Sequence, residues 1–226
     1  MASIRKPVRQ SLSRQVRESM ETLIREGDWR VGEKIPAEPE LKKLFGVSHN
    51  TLREAVQGLI HAGMLTARPG DGTYVTASDR LDAALDDRLH QVDTACILEA
   101  RLAMEQAIVA LAAERRTEAD LEAMRAALAK CKTRSGDGIE DDMAFHTAIA
   151  DATRNPLLTQ FYRVMTEHLS RHFTEALRER QYDPDALALH DALLLAMEER
   201  DIPRARAIVA DIVSFDTRNI SKGKMP

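Results

Sequence analysis

Three residues in the second half of the chain have the types and spacing of metal ligands. Asp142 and His146 are four apart, so on a helix they share one face. His190 lies further along, beside Leu187, Leu189 and the Leu193–Leu195 run. A carboxylate and imidazoles projecting inward from different helices are how metal sites are built inside helical bundles. The same spacing also serves a surface ion pair, and a histidine among leucines also serves as a satisfied core residue. Arg101 and Glu105 are again four apart. They can form a plain intrahelical pair, or Arg101 can offer its planar fork to a ligand's carboxylate.

A second set of residues lies near the N-terminus. Ser48, His49, Asn50 and Thr51 precede Arg53 at the start of an apolar-periodic stretch. Asn can pair bidentately with adenine, and Arg with guanine or phosphate, when a helix start enters the major groove. Lys42 and Lys43 lie just upstream, and Arg68 with Gly70 and Gly72 lies just downstream. Glycines at a hairpin tip let backbone amides approach a phosphate, and a nearby arginine adds charge.

The elements that must position these groups can be read from local signals. Leu12, Val16, Met20, Leu23 and Ile24 form one helical stripe closed by Gly27. A short helix over 38–45 turns Leu41, Leu44 and Phe45 inward and ends at Gly46. Ser48 is an N-cap for a helix over 49–62 that buries Leu52, Val56, Leu59 and Ile60. Two helices around the tight turn Gly46-Val47-Ser48 make a helix-turn-helix. Residues 64–76 read as two short strands around Pro69-Gly70-Asp71-Gly72, a wing. Residues 77–91 are polar and read as a linker. Beyond them the pattern predicts helices near 92–114, 117–132, 138–153, 156–180, 184–200 and 203–219, with Gly136 and Gly138 marking a loop. Pro156, Pro184 and Pro203 fall at first-turn positions.

The expected fold is therefore mainly α. A winged helix-turn-helix over 1–76 and the 77–91 linker lead to an antiparallel bundle of six or seven helices over 92–220. Bulk properties agree with that division. Apolar residues make up 44% of the chain and aromatics only 4%, which favours helices over strands. Residues 1–78 carry 12 Lys/Arg against 9 Asp/Glu, while the rest carry 20 against 27. A basic front and an acidic back suit one domain on phosphate and one in solvent. Cys96 and Cys131 lack metal-binding spacing and read as buried or partly buried thiols in a reducing compartment. No apolar run is long enough to span a membrane, and the first ten residues lack the apolar core of a signal peptide. A cytoplasmic location follows as the expectation. Metal-assisted hydrolysis finds no HExxH motif, nucleophile elbow or phosphate-cradling glycine loop to support it, so no enzyme is expected.

The segment from Gly27 to Val75 resembles the winged-helix domain of GntR-family regulators. The matching residues are Gly32-Glu33-Lys34-Ile35-Pro36, Glu38, Leu41, Val47-Ser48, Thr51, Arg53-Glu54-Ala55, Leu59, Gly63 and Gly70-x-Gly72-Thr73-x-Val75. Two departures stand out: the family usually has arginine where this chain has His49, and often where it has Pro39. That implies an altered operator, with more of the affinity on Arg53, Lys42, Lys43 and the wing. Most of residues 92–212 resemble the FCD effector domain of the FadR subgroup. The matching pieces are Ile97 to Ala113, Asp142-x-x-Phe145-His146 with Asn155, and the His190 stretch with Asp201 and Ala205.

The resemblance implies a divalent metal of the zinc or nickel class on Asp142, His146 and His190. It also implies a small organic-acid effector near Arg101, Glu105, Asn155 and His168. The family's further histidine is replaced by Ile212, and Asp211 beside it points about 100° away on a helix. His168 and His172 are possible substitutes. The implied partners are a near-palindromic double-stranded DNA operator and a second copy of the chain. An effector-independent dimeric DNA-binding protein is the alternative.

Overall fold

The computed structural model describes residues 10–133, 138–172 and 183–222. Gly136, His172's side chain and the end of the helix expected over 156–180 lie outside the described residues. The chain divides between Asp87 and Arg88 into two compact units.

In the first unit, α1 spans Leu12–Glu26, α2 Glu38–Phe45 and α3 His49–His61. Ser11 caps α1 by accepting from Arg14 N, and Gly27 ends it in the left-handed region. Gly46 ends α2 in the same way. Val16, Met20 and Ile24 of α1 pack with Leu41 of α2 and with Leu52, Ala55, Val56 and Leu59 of α3. Strands β1 (Leu65–Arg68) and β2 (Gly72–Val75) pair antiparallel, with Leu65 opposite Val75 and Arg68 opposite Gly72. Residues 32–35 add to this hairpin: Gly32 N donates to Val75 O, Ile35 N to Thr73 O, and Val75 N to Glu33 O. The sequence shows these residues only as a glycine- and proline-rich turn.

Several expectations need correcting. Leu44 is 65% exposed rather than inward, because the short α2 buries a narrow stripe centred on Leu41 with Phe45 half-buried. Leu12 is also exposed, as the first residue of its helix. Cys131 is buried but Cys96 is exposed. Most of the 77–91 segment is a helix, α4 (Arg80–His90). Asp79 Oδ1 starts it by accepting from the amides of Leu81 and Asp82. Arg80 ties it to Glu21 of α1.

The second unit holds α5 (Thr94–Arg115), α6 (Glu118–Thr133), α7 (Gly138–Ala152), α8 (Pro156–His172), α9 (Pro184–Glu199) and α10 (Ile202–Lys222). Helix α5 packs against α7, α8, α9 and α10. Its buried stripe runs Ile97, Leu98, Arg101, Glu105, Ile108, Val109 and Ala112, so two charged residues lie on the core face. At the other end of α5, arginines cap exposed carbonyls. Arg200 donates to the carbonyls of Ala113, Glu114 and Arg116. Arg116 in turn donates to those of Met197 and Glu198.

Gly63, directly after α3, has φ +72°, and a Cβ there would lie 3.2 Å from that of Ala83. Gly63→Ala is expected to destabilise the first unit by about 1–2 kcal/mol, the usual cost of forcing an L-residue into that region. A lower denaturant midpoint at unchanged m checks this.

Candidate functional site

The first candidate face is the start of α3 with the wing. Ser48 Oγ accepts from Thr51 N at 3.2 Å and lies 2.8 Å from Thr51 Oγ1. These two hydroxyls are engaged with each other as a cap, which fixes how the helix begins. Asn50 and Arg53 are exposed, and neither has a hydrogen bond or ion pair within the described residues. His49 Nε2 lies 2.9 Å from Glu38 Oε2 of α2, a contact the sequence did not announce. Lys42 and Lys43 are exposed in the last turn of α2. The unpaired amides at the α3 N-terminus favour negative charge in front of these side chains.

The wing is held in shape by its own charges. Tyr74 Oη donates to Asp71 Oδ2 at 2.8 Å, and Lys34 Nζ to Asp71 Oδ1 at 3.1 Å. The bond from Tyr74 and then that from Lys34 hold the Asp71 carboxyl below its usual range. The Arg68 guanidinium stacks 4.1 Å from the Tyr74 ring centroid. Gly70 takes φ +75° at the tip.

The second candidate site lies inside the bundle. Asp142 and His146 from α7 meet His190 from α9, and one ligand atom from each falls within 4.8 Å of the others. His190 Nε2 is 3.0 Å from Asp142 Oδ1 and 3.0 Å from His146 Nε2. His190 Nδ1 lies 2.6 Å from the Ala186 carbonyl, which can only accept, so Nδ1 carries a proton. A neutral His190 ring therefore turns a lone pair toward a carboxylate oxygen. Those two acceptors attract only if a proton or a metal cation lies between them. The donor set suits a divalent ion: two imidazole nitrogens and one carboxylate leave positions for water or a ligand. Phe145 is fully buried against both rings, with centroids 5.4 and 5.5 Å away.

Ile212, at the expected fourth position, is 1% exposed and apolar. Asp211 lines an open groove with Asp185, Leu189, Phe215 and Arg218 instead. His168 stands apart from the trio, its ring 4.6 Å from that of His90. Asn155 Oδ1 accepts from Leu157 N and Leu158 N, capping α8.

Arg101 is fully enclosed. Its Nε donates to Glu105 Oε1 and its Nη1 to Asp216 Oδ2 of α10, both at 2.7 Å. Burial alone would lower the guanidinium's pKa, but Glu105 and Asp216 outweigh it and hold the pKa well above the ordinary value. Tyr162 of α8 donates its hydroxyl to Glu105 Oε1 at 3.0 Å. Burial, then the charge of Glu105, raises that phenol's pKa well above normal, and Asp142 adds to the effect. The phenol thus lies in the field of both clusters. Sequence reasoning missed Tyr162 and Asp216. The signal for Asp216 was present: it continues the buried stripe Ala205, Ile208, Val209, Ile212, Val213, where a carboxylate needs a partner.

Comparison with known proteins places both units. Residues 12–75 match the family described as bacterial regulatory proteins, gntR family, and residues 96–215 match the FCD domain. The HTH-type transcriptional regulator LutR of Bacillus subtilis (strain 168) is 35% identical over 166 residues, covering 70% of this chain and 73% of that one. A putative L-lactate dehydrogenase operon regulatory protein of Escherichia coli (strain K12) is 30% identical over 220 residues, covering 90% and 84%. The solved structure of Streptococcus agalactiae GntR superposes with a TM-score of 0.54 at 25% identity, covering 91% of this chain and 99% of that one. These domains and named relatives regulate transcription rather than catalyse reactions, and no described helix is long and apolar enough to cross a membrane. The chain therefore belongs to the GntR family of DNA-binding transcription regulators, with the family's helix-turn-helix in its first unit and an FCD domain in its second.

Proposed function

We propose that this regulator binds its operator as a homodimer and that a small molecule in the FCD domain sets its operator affinity. The observation that carries the sensing half is the convergence of Asp142, His146 and His190, whose ligand atoms lie within 4.8 Å of one another. A divalent metal of the zinc or nickel class fits the residues present. When bound it would supply a Lewis-acidic anchor for an acidic ligand. The chain's own part is to fix the ligands: Ala186 sets the His190 tautomer, and Phe145 shields both rings.

On the DNA side, Arg53 and Asn50 read base edges, and Ser48 and Thr51 fix the helix start. Lys42, Lys43, Arg68 and the Gly70 and Gly72 amides bind phosphate. His49 keeps one imidazole edge for Glu38, so it contributes less than a free arginine would. Two-fold symmetry of the dimer would make the operator near-palindromic. An effector alters affinity only by binding one arrangement of the dimer better than another, and a typical coupling is about 1–3 kcal/mol.

Arg53→Ala is expected to weaken binding to an operator selected from random DNA by about 1–3 kcal/mol, with the circular dichroism spectrum unchanged. An unaltered gel-shift titration would remove Arg53 from the reading head. His146→Ala is expected to lose the metal that the wild type retains after dialysis against zinc or nickel, measured by elemental analysis. Wild-type protein without metal after that treatment would sink the metal assignment.

A further inference from the structure

His49 is the first residue of α3 and Glu38 the first of α2, and their side chains meet, Nε2 to Oε2, at 2.9 Å. An ionised carboxylate can only accept, so Nε2 carries the hydrogen of that contact. In the neutral ring Nδ1 then holds a lone pair and can only accept. Among the described residues the contact with Glu38 is the only hydrogen bond or ion pair of His49. Its side chain is 55% exposed, so the ring stays within reach of a duplex laid against the start of α3. Glu38 is itself well placed. It lies in the first turn of α2, where negative charge is favoured, and the ring of Pro39 fixes the backbone directly after it.

We propose that Glu38 makes His49 a hydrogen-bond acceptor, so that His49 selects a base bearing an exocyclic amino group, cytosine or adenine, in the major groove. The inference rests on the reading of α3 as the base-contacting helix and adds the class of base that one position selects. Guanine and thymine present acceptors where cytosine N4 and adenine N6 donate. The Nδ1 lone pair set against guanine O6 or thymine O4 meets another lone pair and gains nothing. Set against an amino group it gains a bond. An arginine in the same place would choose the other way, since a guanidinium can only donate. A histidine without Glu38 would leave the choice open, because either ring nitrogen could carry the hydrogen. Glu38 is therefore a positioning residue: it acts on the operator through His49, by fixing which nitrogen is bare. Arg53 on the same helix only donates, so the two side chains ask for opposite partners in the groove.

The test uses the full-length protein at about pH 8, where free imidazole is neutral. In protein carrying isotope-labelled histidine, nitrogen NMR should show the His49 ring, assigned by its loss in His49→Ala, with its hydrogen on Nε2. Glu38→Gln, whose amide can donate as well as accept, should turn that ring into a mixture of both tautomers. Operators are then selected from random duplex DNA. His49→Arg should select guanine at one base pair of each half-site, and at the same place on the same strand the wild type should select cytosine or adenine. Exchanging the two bases of that pair should weaken wild-type binding about tenfold. Glu38→Gln should relax the preference at that pair and leave the pairs that depend on Arg53 unchanged. The proposal is overturned if the wild-type ring carries its hydrogen on Nδ1, if the wild type selects guanine or thymine at that place, or if Glu38→Gln keeps the wild-type preference. If His49→Arg alters no pair while Arg53→Ala does, α3 remains the reading helix and His49 is removed from it. If neither substitution alters any pair, the reading helix falls and the proposal falls with it.

Discussion

A guanidinium removed from water must be matched by negative charge, and that demand organises the second unit. Arg101 lies on the core stripe of α5, where solvent cannot neutralise it. Glu105 supplies one partner from the same helix and Asp216 supplies another from 115 residues away. The bond to Asp216 fixes α10 against α5 in register, which apolar packing alone would specify only loosely. Such ion clusters add little net stability compared with a well-packed apolar core, but breaking one leaves a buried charge and costs about 3–5 kcal/mol. The arrangement therefore penalises wrong packings more than it strengthens the right one.

The histidine cluster obeys the same rule with a different counter-ion. Around Arg101 the cation is part of the chain. Around Asp142 and His190 the arrangement leaves room for one from outside, because the Ala186 carbonyl has already claimed the Nδ1 hydrogen and the Nε2 lone pair faces the carboxylate. Tyr162 links the two, bonded to Glu105 and within the field of Asp142. Charge brought into one cluster is thus felt by a group that belongs to the other.

How much of this could be read in the sequence depended on how far apart the interacting residues are. The helix-turn-helix was legible because its signals are local: Gly46, the Ser48 cap, Gly63 and the Gly70-x-Gly72 tip each act within a few residues. The helices opening at Pro156 and Pro184 were legible for the same reason. The pairing of residues 32–35 with β2 was not, because backbone bonds across forty residues leave no mark on composition. Helix α4 was hidden by its polar sequence, which reads equally well as a linker. Asp142, His146 and His190 could be nominated by type, but only the fold shows that His190 is oriented by Ala186. Arg101 and Glu105 could be seen as neighbours on a helix. Nothing nearby told of Asp216, and that third partner changes the meaning of the pair.

The arginines at the far end of α5 give the bundle a mechanical character. Arg200 and Arg116 stitch the turn between α9 and α10 to the last turn of α5 through backbone carbonyls. These carbonyls belong to the main chain, so substituting Ala113, Glu114, Met197 or Glu198 leaves the acceptors in place, and the stitching depends on the two arginines themselves. Toward the opposite end a side-chain pair, Arg101 with Asp216, joins the same two helices. The two helices thus form a pair of tongs, riveted at one end and latched at the other. Both fastenings rest on arginine: one grips main-chain carbonyls, and the other grips a side chain that a single substitution removes.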